Sequence, residues 1–150
     1  KVLNYEVIAC DDDLEEIYKS CKNAVITIGQ IKSSQIREKI YENLLSIGFN
    51  LPVVISPLSY VSKHSKIGVG TIIMHQALVN SNVTIGNNCI VNTKALIEHD
   101  AKIGNNCHIS TASVINGGVV VNDGTFFGSN ATSKQSIDVS GFIKAGSIVK

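Results

Sequence analysis

Glu98-His99-Asp100 is the tripeptide of this chain best suited to proton transfer. A carboxylate beside an imidazole fixes its tautomer and raises its basicity, which suits a general base working near neutral pH. The other histidines, His64, His75 and His108, have no acidic neighbour in sequence. Isolated surface histidines are ordinarily inert, and His64 and His75 are read that way. His108 lies nine residues after His99, and Asn92 precedes both, giving a second polar group that could place a substrate.

The elements that must position these residues are written in a repeat. Val61, Ile67, Ile73, Val79, Ile85, Val91, Ile97, Ile103, Ile109, Ile115, Val121 and Phe127 recur every six residues without a gap. Four places after each stands a small or β-branched residue, as in Ala77, Cys89, Ala95, Ala101, Cys107 and Ala131. A helix needs a period near 3.6 and a simple strand a period of 2, so a period of six calls for a hexapeptide parallel β-helix. Three short strands and three turns make a triangular coil of eighteen residues, with the large residue on the prism axis. Twelve repeats make four coils. Glycine, Asn and Asp at Val69-Gly70, Asn87-Asn88, Asn105-Asn106 and Asp123-Gly124 suit corners with left-handed backbone angles. The register is expected to break after Phe127, with about four extra residues looping out between Gly128 and Ser136 before Ile137, Ile143 and Val149 resume it.

Coil geometry separates the histidines. Half a coil apart, His99 and His108 fall on opposite sides of the prism, roughly 15 Å from one another with strands rising about 3.3 Å per residue. They can cooperate only across an interface between prisms, and a three-sided prism packs naturally as a cyclic trimer. Asn92 and His108 would come from one subunit and His99 from the next. Cys89 and Cys107, one coil apart in the small-residue column, are read as packed thiols rather than a disulfide.

Residues 1–56 follow another pattern. Val2–Cys10, Ala24–Ile28 and Pro52–Ile55 are strand candidates, and Leu14–Lys19 is a short helix. A longer helix is capped by Ser33 or Ser34, carries its apolar face on Ile36, Ile40, Leu44 and Ile47, and stops at Gly48. The order implies a small Rossmann-like α/β domain, mixed α/β beside the all-β domain of residues 57–150. Its glycine-rich phosphate turn is absent, so a first βα unit is expected upstream, and Lys1 in place of Met suggests a fragment or a processed form. Asp11-Asp12-Asp13 either contacts a ribose or base at a strand end or caps the following helix, with Asp12 three before Glu15. Ile28-Gly29 either borders the same pocket or is an ordinary turn.

With 13 basic and 12 acidic residues the net charge is +1. That balance, without basic clusters, argues against a nucleic-acid partner, and no apolar run suits a membrane span. A cytoplasmic protein is expected.

The repeat, together with Val91-Asn92-Thr93-Lys94-Ala95-Leu96-Ile97-Glu98-His99-Asp100 and Cys107-His108-Ile109-Ser110, resembles the hexapeptide acyltransferases of the sialic acid O-acetyltransferase and UDP-amino-sugar N-acetyltransferase group. That resemblance implies a left-handed β-helix, a homotrimer and acetyl-CoA as co-substrate with no metal. It implies that His99 deprotonates the acceptor, that Glu98 or Asp100 orients it, and that His108 and Asn92 place acceptor and thioester. The backbone of Asn116-Gly117-Gly118, chiefly Gly117, would donate to the oxyanion, with Gly118 beside it. Asp11, Asp12, Ile28 and Gly29 would border the nucleotide, and Gly128, Ala145 and Gly146 would line the pantetheine groove.

The expected reaction is N-acetylation of a UDP-linked 4-amino-4,6-dideoxy sugar by direct attack on the thioester, for bacterial glycan synthesis. Sialic acid O-acetylation is the alternative on the same residues. Two other classes are weaker: a zinc site of the carbonic anhydrase kind using His75, His99 and His108, and a non-catalytic sugar-binding trimer.

Overall fold

A computed structural model describes all residues, Lys1–Lys150. From Val54 onward the chain forms 17 two-residue parallel strands arranged in three sheets of six, six and five. The first sheet holds Ile72–Ile73, Ile90–Val91, His108–Ile109 and Phe126–Phe127; the second holds Leu78–Val79, Leu96–Ile97 and Val114–Ile115; the third holds Thr84–Ile85, Lys102–Ile103 and Val120–Val121. Each strand pairs with the strand one coil away, as His108 does with Ile90 and Phe126. This is a parallel β-helix.

The period of six has a direct structural cause at two places per repeat. The second residue of each strand points inward: Val79, Val91, Ile97, Ile109, Ile115 and Phe127 have no exposed surface. Burying such a side chain contributes about 1.5–3 kcal/mol each. The corners take left-handed backbone with the same period, running Gly70, Gln76, Asn82, Asn88, Lys94, Asp100, Asn106, Ala112, Gly118, Gly124, Asn130 and Ser136. Between corners, Gly68, Gly86 and Gly104 let successive coils touch: a Cβ on Gly86 would stand 2.7 Å from the carbonyl carbon of Gly104.

The β-helix differs from the expected one at both ends. Val54–Ile55, read as the last strand of the α/β sheet, instead pairs with Ile72–Ile73 and is the first strand of the β-helix. Beyond Phe127 there is no looped-out insertion. Ser133 takes the next inward place, 2% exposed, and Val139 the one after. Ile137 falls into the column of small residues, its carbonyl accepting from Val120 N at 3.0 Å. The change of register comes after Val139, where Phe142–Ile143 pairs with Phe126–Phe127 across a coil two residues shorter than the others.

The three-stranded N-terminal sheet is not formed. Val2–Cys10 makes only an antiparallel bridge between Val2 and Tyr5, with Leu3 87% and Ile8 82% exposed. Ala24–Ile28 runs extended beside the first sheet without joining a ladder, and the parallel bridge Asn23–Asn50 precedes it. The carbonyls of Ile26 and Ile28 bond to the Arg37 guanidinium, at 2.7 and 2.8 Å, in place of a neighbouring strand.

The two helices are present: α1 over Leu14–Ser20 and α2 over Gln35–Ile47, the latter ended by Gly48 at φ 107°. Of the expected inward face of α2, Ile40, Leu44 and Ile47 pack inward, whereas Ile36 is 66% exposed and its neighbour Arg37 is buried instead. Leu44 joins Ile26, Phe49 and Leu51 in a second, smaller core separate from that of the β-helix. Asp11–Asp13 forms a 3-10 turn in which Asp13 Oδ2 accepts from Cys10 N at 3.0 Å; Asp13, not Asp12, is the N-cap residue of α1, and no side chain caps that helix. No helix is long and apolar enough to cross a membrane.

Candidate active site

His99 sits at the corner between the second and third sheets. The strand Leu96–Ile97 leads into it, and the left-handed turn at Asp100, φ 62°, reverses the chain so that adjacent side chains meet. His99 Nδ1 and Asp100 Oδ2 are 2.8 Å apart. A carboxylate only accepts, so Nδ1 carries the hydrogen and Nε2 of the neutral ring keeps its lone pair. Asp100 Oδ1 accepts from Asn82 Nδ2 at 2.6 Å, and Glu98 Oε2 from Asn80 Nδ2 at 2.7 Å. The Asn82 and His99 bonds, in that order, hold the Asp100 carboxyl below the usual range. Both flanking carboxylates are thereby fixed from the coil beneath.

The coil above supplies the other wall. A Cβ at Gly117 would lie 2.8 Å from His99 Cε1 and 2.9 Å from Nε2, so only glycine leaves room for the ring. Gly117 N–H donates to no acceptor within the chain, while its carbonyl accepts from Ser136 N at 3.0 Å and Gly118 N donates to His99 O at 3.0 Å. Ser133 alters the bonding at the start of this turn. Its Oγ accepts from Asn116 N at 2.9 Å and its carbonyl accepts from Asn116 Nδ2 at 2.6 Å, replacing a regular rung of the ladder.

Asn92 and His108 meet on the other side of the prism, with Asn92 Nδ2 and His108 Nε2 3.1 Å apart. His108 projects from the outer face of the first sheet and packs edge-on against Phe126. It is 8% exposed, and Nδ1 meets the Gln30 carbonyl at 2.6 Å. Burial holds its pKa below the ordinary 6.5, against the Gln30 bond and aided by the Arg37 charge. A cleft of about 190 Å³ runs beside it, lined in part by Gly29, Ile72, Met74, Ile90 and Asn92.

The remaining expected site residues are brought together only in part. Asp11 and Asp12 are exposed and line a cleft of about 580 Å³ with Lys39, Ile40 and Asn43 of α2. Ile28, 40% exposed, borders a second cleft whose wall also includes Asp11, while Gly29 lies in the cleft beside His108. Gly128 is packed against the next coil, where a Cβ would meet Ala145 N at 2.5 Å, while Ala145 and Gly146 are exposed. His75 bonds Ser56 Oγ through Nδ1 at 2.5 Å, and within the chain no three His, Cys, Asp or Glu side chains are grouped to hold a metal ion. Cys89 and Cys107 are buried, their thiols donating to the carbonyls of Gly104 at 3.0 Å and Asn122 at 3.2 Å.

Sequence reading missed Asn80, Asn82, Gln30 and Arg37. The two asparagines each precede their carboxylate by one coil of eighteen residues, a spacing legible in the repeat. Gln30 and Arg37 carry no such signal, because they reach the β-helix only through the packing of the N-terminal segment.

A β-helix of hexapeptide repeats, with a carboxylate-braced histidine at a corner and a glycine facing it, is what the fold and the site define. The solved structures similar to this chain include acetyltransferases. The acetyltransferase domain of PglB from Neisseria gonorrhoeae FA1090 superposes with a TM-score of 0.91 at 28% identity, over 100% of this chain and 73% of that one. PerB from Caulobacter crescentus, in complex with CoA and GDP-perosamine, gives 0.94 at 28% identity, over 99% of this chain and 72% of that one. The PglB domain in complex with acetyl coenzyme A gives 0.87 at 26%, over 99% and 74%. No protein-family model matches the chain, and no curated protein matches it.

Proposed function

We infer that the chain is an acetyl-CoA-dependent acyltransferase, and specifically an N-acetyltransferase of a nucleotide-linked 4-amino-4,6-dideoxy sugar. The observation that carries this reading is the His99 corner: an imidazole with Nδ1–H held by Asp100, a free lone pair on Nε2, and an unengaged Gly117 N–H beside it. Its likeness to PerB and to the PglB acetyltransferase domain supports acetyl transfer over other uses of such a base.

In this mechanism the acceptor nitrogen attacks the thioester carbonyl of acetyl-CoA and a C–N bond forms. His99 Nε2 takes the proton from nitrogen, and the imidazolium is stabilised by Asp100. The carbonyl oxygen becomes an oxyanion that Gly117 N–H stabilises. The C–S bond then breaks, and the thiolate leaves as CoA with the proton returned from His99. Most of the rate gain comes from alignment and charge stabilisation, since the thioester is already activated.

His99 and His108 stand on different sides of one prism, so the reading includes a homotrimer of left-handed β-helices in which His99 of one copy faces Asn92 and His108 of the next. The acceptor is taken to be UDP-linked, with the nucleotide against Asp11, Asp12, Ile28 and Gly29. Gly128, Ala145 and Gly146 are taken to border the path of the pantetheine arm, with Gly118 beside Gly117 at the thioester.

The test is release of CoA thiol from acetyl-CoA, with a UDP-linked 4-amino-4,6-dideoxy sugar, GDP-perosamine and sialic acid as separate acceptors. Release with the UDP sugar, lost in His99→Ala, is the expected result. Release with GDP-perosamine alone would keep the reaction and change the nucleotide, and release with none of the three would overturn the reading.

A further inference from the structure

Arg37 is 1% exposed and no carboxylate neutralises it. A buried guanidinium is costly unless its N–H groups are bonded, and four carbonyls do this. Nη1 donates to Ile26 O and Ile28 O at 2.7 and 2.8 Å, and Nε and Nη2 reach Asn88 O at 3.3 Å and Gly70 O at 3.4 Å. One side chain therefore ties the segment 26–28 to the same corner of two successive coils of the β-helix. Gln30, 5% exposed, continues the tie to that corner of the next coil, its Nε2 donating to Asn106 O at 2.5 Å.

The consequence appears at His108. The Gln30 carbonyl lies 2.6 Å from Nδ1, and a carbonyl can only accept, so Nδ1 bears the hydrogen. Nε2 of the neutral ring is then an acceptor, filled by Asn92 Nδ2 at 3.1 Å. The Asn92 amide is fixed at its other end, where Oδ1 accepts from Thr93 N at 2.7 Å. One N–H of Asn92 remains for a ligand.

We propose that Arg37 and Gln30 are positioning residues of the acetyl-transfer site, which set His108 as its Nδ1–H tautomer and through it aim the Asn92 amide at the ligand. The effect on rate rests on the acetyl-transfer reading above; the effect on the His108 ring does not. An Arg37 and Gln30 that merely fastened the N-terminal segment would leave the tautomer and the acceptor KM unchanged when the protein stays folded.

The test pairs nitrogen NMR of the His108 ring with thiol-release kinetics, on the full chain, in wild type, Arg37→Met and Gln30→Met. Wild type is expected to show a protonated Nδ1 and an unprotonated Nε2. Gln30→Met keeps the side-chain volume but loses the bond to Asn106, so the carbonyl drifts. It should show a mixed tautomer and an acceptor KM raised on the order of tenfold, with kcat changed far less. If Arg37→Met does not fold, Gln30→Met answers alone. A wild-type ring protonated at Nε2, or a Gln30→Met protein with the wild-type tautomer and KM, overturns the proposal. Absence of thiol release in wild type would instead sink the acetyl-transfer reading, and the ring spectra would still decide the tautomer.

Discussion

His99 and Asp100 are consecutive residues whose side chains bond to one another, Nδ1 to Oδ2 at 2.8 Å, because Asp100 occupies a left-handed corner at φ 62°. In an extended strand neighbouring side chains point to opposite faces. Here the turn brings them to one side, and Asp is among the few residues that accept such backbone without glycine's loss of side chain. His99→Ala should lower kcat for thiol release by about 10²–10⁴-fold, the range for a lost general base. Asp100→Asn should lower it less. Thermal melts should be nearly unchanged in both, since these side chains are half-exposed.

Asn82 is the larger cause of the depressed Asp100 pKa, ahead of His99. A carboxyl depressed in the folded state contributes stability that is present above its unfolded pKa and lost as pH falls through the folded one. Asn82→Ala should therefore raise the Asp100 pKa toward the ordinary 3.8. A carbon-detected titration of the Asp100 carboxyl reads this directly; a midpoint identical to wild type would show that the Asn82 bond is not made in solution.

Gly117 faces the His99 ring with no room for a methyl group. Its backbone is not left-handed, so Gly117→Ala should fold. The displaced ring should reduce kcat by roughly a hundredfold, as a misplacement of about 1 Å can, while the melting temperature moves little. Retention of full activity would remove Gly117 from the site.

Ala112 holds a left-handed corner, φ 54°, for no gain that an alanine side chain can supply. Ala112→Gly should relieve about 1 kcal/mol of that strain, partly offset by the added freedom of the unfolded chain. The melting temperature should rise, and a fall would mean that the Ala112 methyl packs against something worth more than the strain.

His108 is held neutral chiefly by burial. Because its folded pKa lies below its unfolded value, the unfolded chain takes up the proton first as pH falls. Stability should decline below about pH 6.5, until the folded pKa is passed. His108→Gln should flatten that part of a stability-against-pH curve, measured by urea unfolding at a series of pH values.

The core of the β-helix and the braced histidine were legible in the sequence, since both depend on contacts that recur with the chain's own period. A residue six places on takes the same role, and one eighteen places on lies directly above, so the inward column and the corners could be counted out, and with them the placing of Asn92 and His108 away from His99. The same count failed at Ser133. A serine in an aliphatic column looked like a break in register, whereas it keeps the inward place and its hydroxyl and carbonyl replace one rung by bonding Asn116.

The N-terminal segment lay beyond such counting. Ala24–Ile28 has the composition of a strand, but the fate of its carbonyls depended on a guanidinium at Arg37, nine residues past Ile28 on α2. The sequence by itself determined a period-six coil and which side chains each corner would carry, because these follow from local repeat geometry. Only the tertiary structure decided which groups orient His108, because Gln30 lies 78 residues away in the chain and meets it solely through packing between two separate cores.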